Sequence, residues 1–196
     1  IEIRRGESGI RAWAAEPGEY YHSFDGSYGG LWRRNGRPPQ LLAGVGFSAQ
    51  GKFEGSYYRR TAESRAPDLA WMFEGIEDQE ILGDFGFSGG GAAGFELDRA
   101  DVRLGTPEEV RVVASSENHT SSFVLVPEEM LTHITNWPGE EEQQKLIRSD
   151  IVYFRTPSGG EVFSTGSITF CGSLPWNDFD NNISRLLENV IRRFLL

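Results

Sequence analysis

The sequence predicts an α/β or α+β fold, with a mixed sheet carrying one amphipathic helix at its C-terminal end, and three observations lead there. Residues 150–170 read as a β-hairpin: Ile151-Val152-Tyr153-Phe154, a turn at Ser158-Gly159-Gly160, then Val162-Phe163-Ser164 and Ile168-Thr169-Phe170. Ile183, Leu186, Leu187, Val190, Ile191 and Phe194 recur at the spacing of one helical face, behind Asp180, Asn181 or Asn182 as cap. The 196 residues, 38% hydrophobic and 24% charged, have the length and composition of one domain with a substantial core.

The remaining elements follow in chain order. Ile1-Glu2-Ile3-Arg4-Arg5 alternates as a half-buried strand does, and a chain opening on Ile inside such a pattern is expected to be a fragment or processed piece with partner segments upstream. Residues 16–39 are rich in Gly, Tyr and Arg without periodicity and read as a long ordered loop. Short strands are expected at 41–47 and 57–60, with Pro67-Asp68 as a break and Ala70-Trp71-Met72-Phe73 as a short apolar run. Residues 109–114 alternate and then turn apolar, like a strand entering a core, and 123–126 read as another strand. Pro127 suits the first position of a helical turn over 127–131, and 137–148 read as a solvated loop or helix start.

Charge and cysteine usage narrow the function classes. A net charge of -10 argues against a general binder of nucleic acid or anionic membrane, both of which require basic surface. Arg33-Arg34 and Arg59-Arg60 then read as solvated faces or ion-pair partners. The single cysteine, Cys171, leaves no disulfide within the chain and fits a reducing compartment. No apolar run is long enough to span a bilayer and no signal-peptide pattern opens the chain, so a cytoplasmic location is expected.

The densest signal is the small-residue run Gly89-Gly90-Gly91-Ala92-Ala93-Gly94, which leads into Phe95-Glu96-Leu97-Asp98-Arg99. Glycines let backbone approach backbone or ligand closely. As a strand, this segment puts Ala93, Phe95 and Leu97 on one face and Gly94 and Glu96 on the other, where a small substrate fits beside the glycine. A carboxylate held between apolar neighbours suits a proton shuttle near neutral pH. The residue pattern leaves a second role for Glu96 open, a structural ion pair with Arg99 or Arg103. Ser116-Glu117-Asn118-His119 gathers a carboxylate and an imidazole at a strand end, and a hydrogen-bonded loop end is expected there rather than a metal site. His22 and His133 are isolated; Cys171 is expected as inert packing, with a Cys171–His119 nucleophile pair as the alternative. Ser164 and Ser167 lack the strand-turn-helix setting of a nucleophile elbow.

Several linked motifs carry a family resemblance over nearly the whole chain. Gly83-Asp84-Phe85-Gly86, the run from Gly89 to Asp101, Ala114-Ser115-Ser116-Glu117-Asn118-His119-Thr120, Phe163-Ser164-Thr165-Gly166-Ser167, Cys171-Gly172-Ser173-Leu174 and Asp180-Asn181-Asn182-Ile183-Ser184-Arg185 together resemble the C-terminal part of the N,N-dimethylformamidase large subunit. The resemblance implies that residues 1–196 are a single C-terminal domain or fragment of a larger subunit. It implies an amidohydrolase that splits N,N-dimethylformamide into dimethylamine and formate, with a fold akin to class I glutamine amidotransferases. It further implies a small subunit, homo-oligomers and a mononuclear iron held by two tyrosines and a glutamate. Those ligands are expected upstream of this chain, and the catalytic glutamate corresponds to Glu96. The rival expectation is a non-catalytic structural or subunit-interaction domain, with the loop around Tyr20, Tyr21 and Trp32 and the Gly-rich run serving assembly.

Overall fold

The computed structural model describes residue 33, residues 36–126, residue 129 and residues 139–196. The expected opening strand at 1–5, most of the long loop with Tyr20, Tyr21 and Trp32, the residues His22 and His133, and nearly all of the turn after Pro127 lie outside them.

The sheet is organised by one long strand, β1 (Gly46–Arg60). Its first part pairs with β2 (Ala93–Arg99), its last four residues pair with β3 (Arg111–Glu117), and Ala49 and Gln50 also pair with β4 (Val124–Leu125). Beyond β3 come β5 (Asp150–Arg155) and β6 (Glu161–Ser164), giving the order β2-β1-β3-β5-β6 with β4 beside β1. Every one of these pairings is antiparallel, which corrects the mixed sheet expected from sequence. Parallel neighbours need long, usually helical crossovers, whereas the described segments between these strands are loops, 3-10 turns and one short helix. The domain is thus α+β.

The hairpin of β5 and β6 forms as expected, closed by a turn in which Thr156 donates its N–H to Gly160 O at 2.7 Å. The apolar run of β5 is buried on both faces: Ile151 and Tyr153 enter the main core, while Val152 joins Val45 and Ala100 in a smaller one. That double burial explains why β5 reads as continuous rather than alternating.

Two expected strands form differently. Residues 40–43 make a single helical turn, α1 (Gln40–Ala43), because Pro38 and Pro39 hold the entering backbone at helical φ and Gly44, at φ 78°, stops it. Residues 168–170 turn instead into α3 (Phe170–Ser173), with Phe170 buried in the core. The apolar run at 70–73 belongs to a 3-10 helix, Pro67–Phe73, that buries Leu69, Met72 and Phe73. The acidic stretch after Gly139 forms α2 (Glu140–Leu146), whose first turn carries three glutamates near the positive end of the helix dipole.

The C-terminal helix, α4 (Asn182–Phe194), starts where the Asn181 side chain accepts the Ser184 N–H at 2.9 Å. Arg192 and Arg193 favour its negative end. Ile183, Leu186 and Val190 are buried in the main core with Tyr58, Met72, Leu82 and Ile151. The Asn189 amide donates to Met72 O at 3.0 Å and to Glu74 O at 2.9 Å, clamping the helix to the 3-10 segment. Only part of the expected helical face docks: Ile191 and Phe194 are exposed.

Candidate active site

The Gly-rich run packs on protein rather than ligand. A Cβ on Gly91 would lie 2.3 Å from Ser56 O, and one on Gly94 would lie 2.2 Å from Glu54 O. The Gly55 N–H donates to Gly89 O at 2.7 Å. Glycine is needed because the run lies backbone to backbone on β1, which leaves no room for a side chain and none for a substrate on that side.

This close approach reshapes β2 at Phe95. Gln50 pairs with Glu96 and Gly55 with Gly94, so residues 51–54 of β1 face Phe95 alone across a bulge. Phe95 sits at φ 60°, a left-handed backbone uncommon for a bulky residue. Its ring consequently leaves the core and meets the Phe53 ring edge-on, centroids 5.6 Å apart. The expected apolar face of Ala93, Phe95 and Leu97 is therefore divided: Ala93 is in the main core, and Leu97 packs with Ala49, Phe123, Leu125 and Ile147.

Beyond the bulge the strand alternates again and sends Glu96 and Asp98 into one cavity of about 490 Å³. Its apolar walls come from Val45, Phe163, Ile168, Phe170, Leu174 and Leu187. Gly166 and Ser167 close it beside the strand. Asp98 donates its N–H to Gly166 O at 2.7 Å, and the Ser167 hydroxyl lies 2.9 Å from both Gly94 N and Gly94 O. No Lys, Arg or His lines the cavity among the described residues. Burial, and then the charge of neighbouring Glu96, push the Asp98 carboxyl up to about 6. A carboxyl group titrating there can both give and take a proton near neutrality. The sequence reading did not single out Asp98, although its place two residues after Glu96 puts it on the same strand face.

The ion-pair role for Glu96 does not form. Arg99 Nη2 binds Asp101 at 3.0 Å and Glu129 at 2.6 Å, and Arg103 Nη2 binds Asp101 at 2.9 Å. Burial raises the Asp101 carboxyl, but hydrogen bonds from Arg103 and Arg99 outweigh it and hold the group down at about 2. Arg34 lies outside the described residues, and the other paired arginines behave as ion-pair partners: Arg33 binds Glu129, Arg59 binds Glu117, and Arg60 lies 3.7 Å from Asp78 and over the Phe73 ring.

The other candidate residues have local duties. His119 Nε2 and Ser116 Oγ are hydrogen-bonded at 2.6 Å, and the imidazole packs on Phe123, as a hydrogen-bonded loop end should. Burial lowers His119 to about 4, with Glu54 opposing. Ser164 Oγ donates to Ala43 O at 2.7 Å and Ser167 Oγ to Gly94 O, so both hydroxyls serve backbone carbonyls. Cys171 is exposed at the cavity rim rather than packed inside, because α3 turns it outward, and His119 is engaged elsewhere. A second cavity, of about 620 Å³ near the end of α4, is lined by Arg155, Glu161 and Arg193, whose charges pair with one another.

Fold and site together define an α+β structure that carries an acidic cavity with apolar walls on one face of β2. The chain belongs to the N,N-dimethylformamidase beta subunit-like, C-terminal family, whose model matches residues 1–182. It is 40% identical over 195 residues to the N,N-dimethylformamidase beta subunits of an Alcaligenes species and of Paracoccus aminophilus. The match takes in 100% of this chain and 25% of each relative, so the chain spans about a quarter of their length. Among the described residues no three or more of His, Cys, Asp and Glu converge. No helix among them is long and apolar enough to cross a membrane.

Proposed function

We propose that this chain is the C-terminal part of a dimethylformamidase-type amidohydrolase and supplies Glu96 to its active site. The observation that carries the reading is the half-buried Glu96, which has no ion-pair or hydrogen-bond partner among the described residues and lines a small cavity with apolar walls. Family membership and two relatives named as dimethylformamidase subunits support the substrate, a small linear amide such as N,N-dimethylformamide. In this reading Glu96 takes a proton from the attacking water, and the apolar walls accommodate the N-methyl groups and limit bulk solvent.

The reading extends to the assembly. The chain belongs to the larger subunit of a cytoplasmic oligomer that also contains a small subunit. Its fold completes a body akin to class I glutamine amidotransferases. Iron is held by upstream sequence. The test is release of dimethylamine and formate from N,N-dimethylformamide by the full-length enzyme, with Glu96→Gln in parallel. Loss of at least about 10²-fold in a folded variant supports the role of Glu96, and unchanged turnover contradicts it.

A purely structural role has two observations in its favour. Phe87, Trp176, Phe179, Ile191 and Leu195 are exposed apolar residues, and Asn177, Asp178 and Phe179 hold three consecutive left-handed backbones, φ 51°, 52° and 67°. If assembly were the chain's whole contribution, Glu96→Gln would leave activity intact while substitutions at Phe179 and Ile191 weakened subunit association.

A further inference from the structure

We infer that Asp98 is a second catalytic residue of the cavity, the acid that protonates the departing amine, while Glu96 acts as the base. The inference rests on the amidohydrolase reading above and divides between two carboxyl groups the work that a single glutamate would otherwise do.

Four features of the structure carry it. Glu96 and Asp98 stand two residues apart on one face of β2, past the Phe95 bulge, and line the same cavity. Neither side chain has a hydrogen bond or counter-cation among the described residues, while both neighbouring arginines, Arg99 and Arg103, are committed to other acids. The Asp98 backbone is fixed by its bond to Gly166 O, at a φ +66° glycine whose Cβ would strike Asp150 O and Asp98 O, so the carboxyl is presented from a rigid position. Of the groups facing Asp98, Glu96 on its own strand favours its protonated form, while the buried Tyr58 of β1 is neutral, with its hydroxyl bound to Ser149 and to Thr165 O. Asp150 of β5 is satisfied by Ser115, Arg148 and the Ala100 N–H, and Cys171 of α3 stands at the rim. With no cation among the described lining residues, burial and the neighbouring Glu96 keep the Asp98 carboxyl ready to hold a proton.

The step balances. Water oxygen bonds to the amide carbonyl carbon as Glu96 takes one water proton. The C–N bond then breaks, its electron pair remains on nitrogen, and nitrogen takes the Asp98 proton. Formic acid and the free amine result, and the proton on Glu96 passes to the Asp98 carboxylate, which restores both groups.

A poor leaving group needs this proton and a good one does not. In the full-length enzyme, Asp98→Asn should lower kcat/KM for N,N-dimethylformamide by about 10²-fold or more, but for 4-nitroformanilide by less than about tenfold. The fall of kcat/KM as pH rises through the region near 6 should vanish in the same variant. Asp98→Glu keeps the acid and should recover part of the loss; should Asp98→Asn not fold, it carries the comparison, again with the larger loss on the poor leaving group. Equal losses on both substrates, or no loss, would overturn the inference while leaving Glu96 standing if Glu96→Gln is inactive. Full activity of Glu96→Gln would show that the reading beneath it has failed, and the inference would fall with it.

Discussion

The two faces of β2 treat charge in opposite ways. On one face Arg99 is fully buried, yet Asp101, Glu129 and the Leu146 carbonyl take up its guanidinium, at 3.0, 2.6 and 3.0 Å. On the other, Glu96 and Asp98 share a cavity with no cation among the described residues. The alternation that puts Leu97 into a hydrophobic cluster thus separates a structural charge from two candidate chemical ones. Compensated burial secures a fold, whereas uncompensated burial persists at a stability cost that function can explain.

The comparison breaks first at Arg99. Arg99→Leu removes the cation between two acids of which Glu129 is fully buried, and should cost about 3–5 kcal/mol, read as a fall in melting temperature of roughly 10 °C. A fall of under about 1 kcal/mol would mean that the two faces do not differ.

Next come the two perturbed groups that titrate in the same pH range with opposite sign. His119, lowered to about 4, contributes stability that is complete above its unfolded value near 6.5 and is lost as pH falls toward 4. His119→Gln should flatten that limb, worth about 3 kcal/mol, in melting curves taken from pH 4 to 7. Asp98, raised to about 6, contributes stability that is complete below its unfolded value near 3.8 and is lost as pH rises through 6. Asp98→Asn should therefore stabilise the protein at pH 7.5 by about 2–3 kcal/mol, and a destabilised variant would show that Asp98 has a structural partner. The smallest effect belongs to Arg103, which is exposed: Arg103→Ala should cost under about 1 kcal/mol, and a larger loss would place it within the buried cluster.

Much of this was legible where local pattern and packing agree. The C-terminal helix announces itself through its cap and its apolar spacing, and the last hairpin through its turn residues. Glu96 stood out through family resemblance as a candidate, while its lack of an arginine partner depends on Arg99 and Arg103 both binding Asp101, which spacing alone does not reveal. The α1 turn overrode an apolar strand pattern because two prolines and Gly44 fixed the backbone, a local rule that outweighed periodicity. What the sequence concealed depends on distant neighbours. The bulge at Phe95 exists because the glycines press on β1 from far along the chain, and it decides that Phe95 leaves the face it was expected to share with Leu97. Residues 163–171 enclose the cavity from some seventy positions beyond β2, which no spacing near Glu96 could indicate.

The central claim is that Glu96 does chemistry and is not part of the scaffold. Its most direct test measures kcat/KM for N,N-dimethylformamide and the melting temperature on one preparation of the full-length Glu96→Gln enzyme. The account predicts a melting temperature within a few degrees of the parent and a loss of activity of at least about 10²-fold. Unchanged activity at unchanged stability would contradict it.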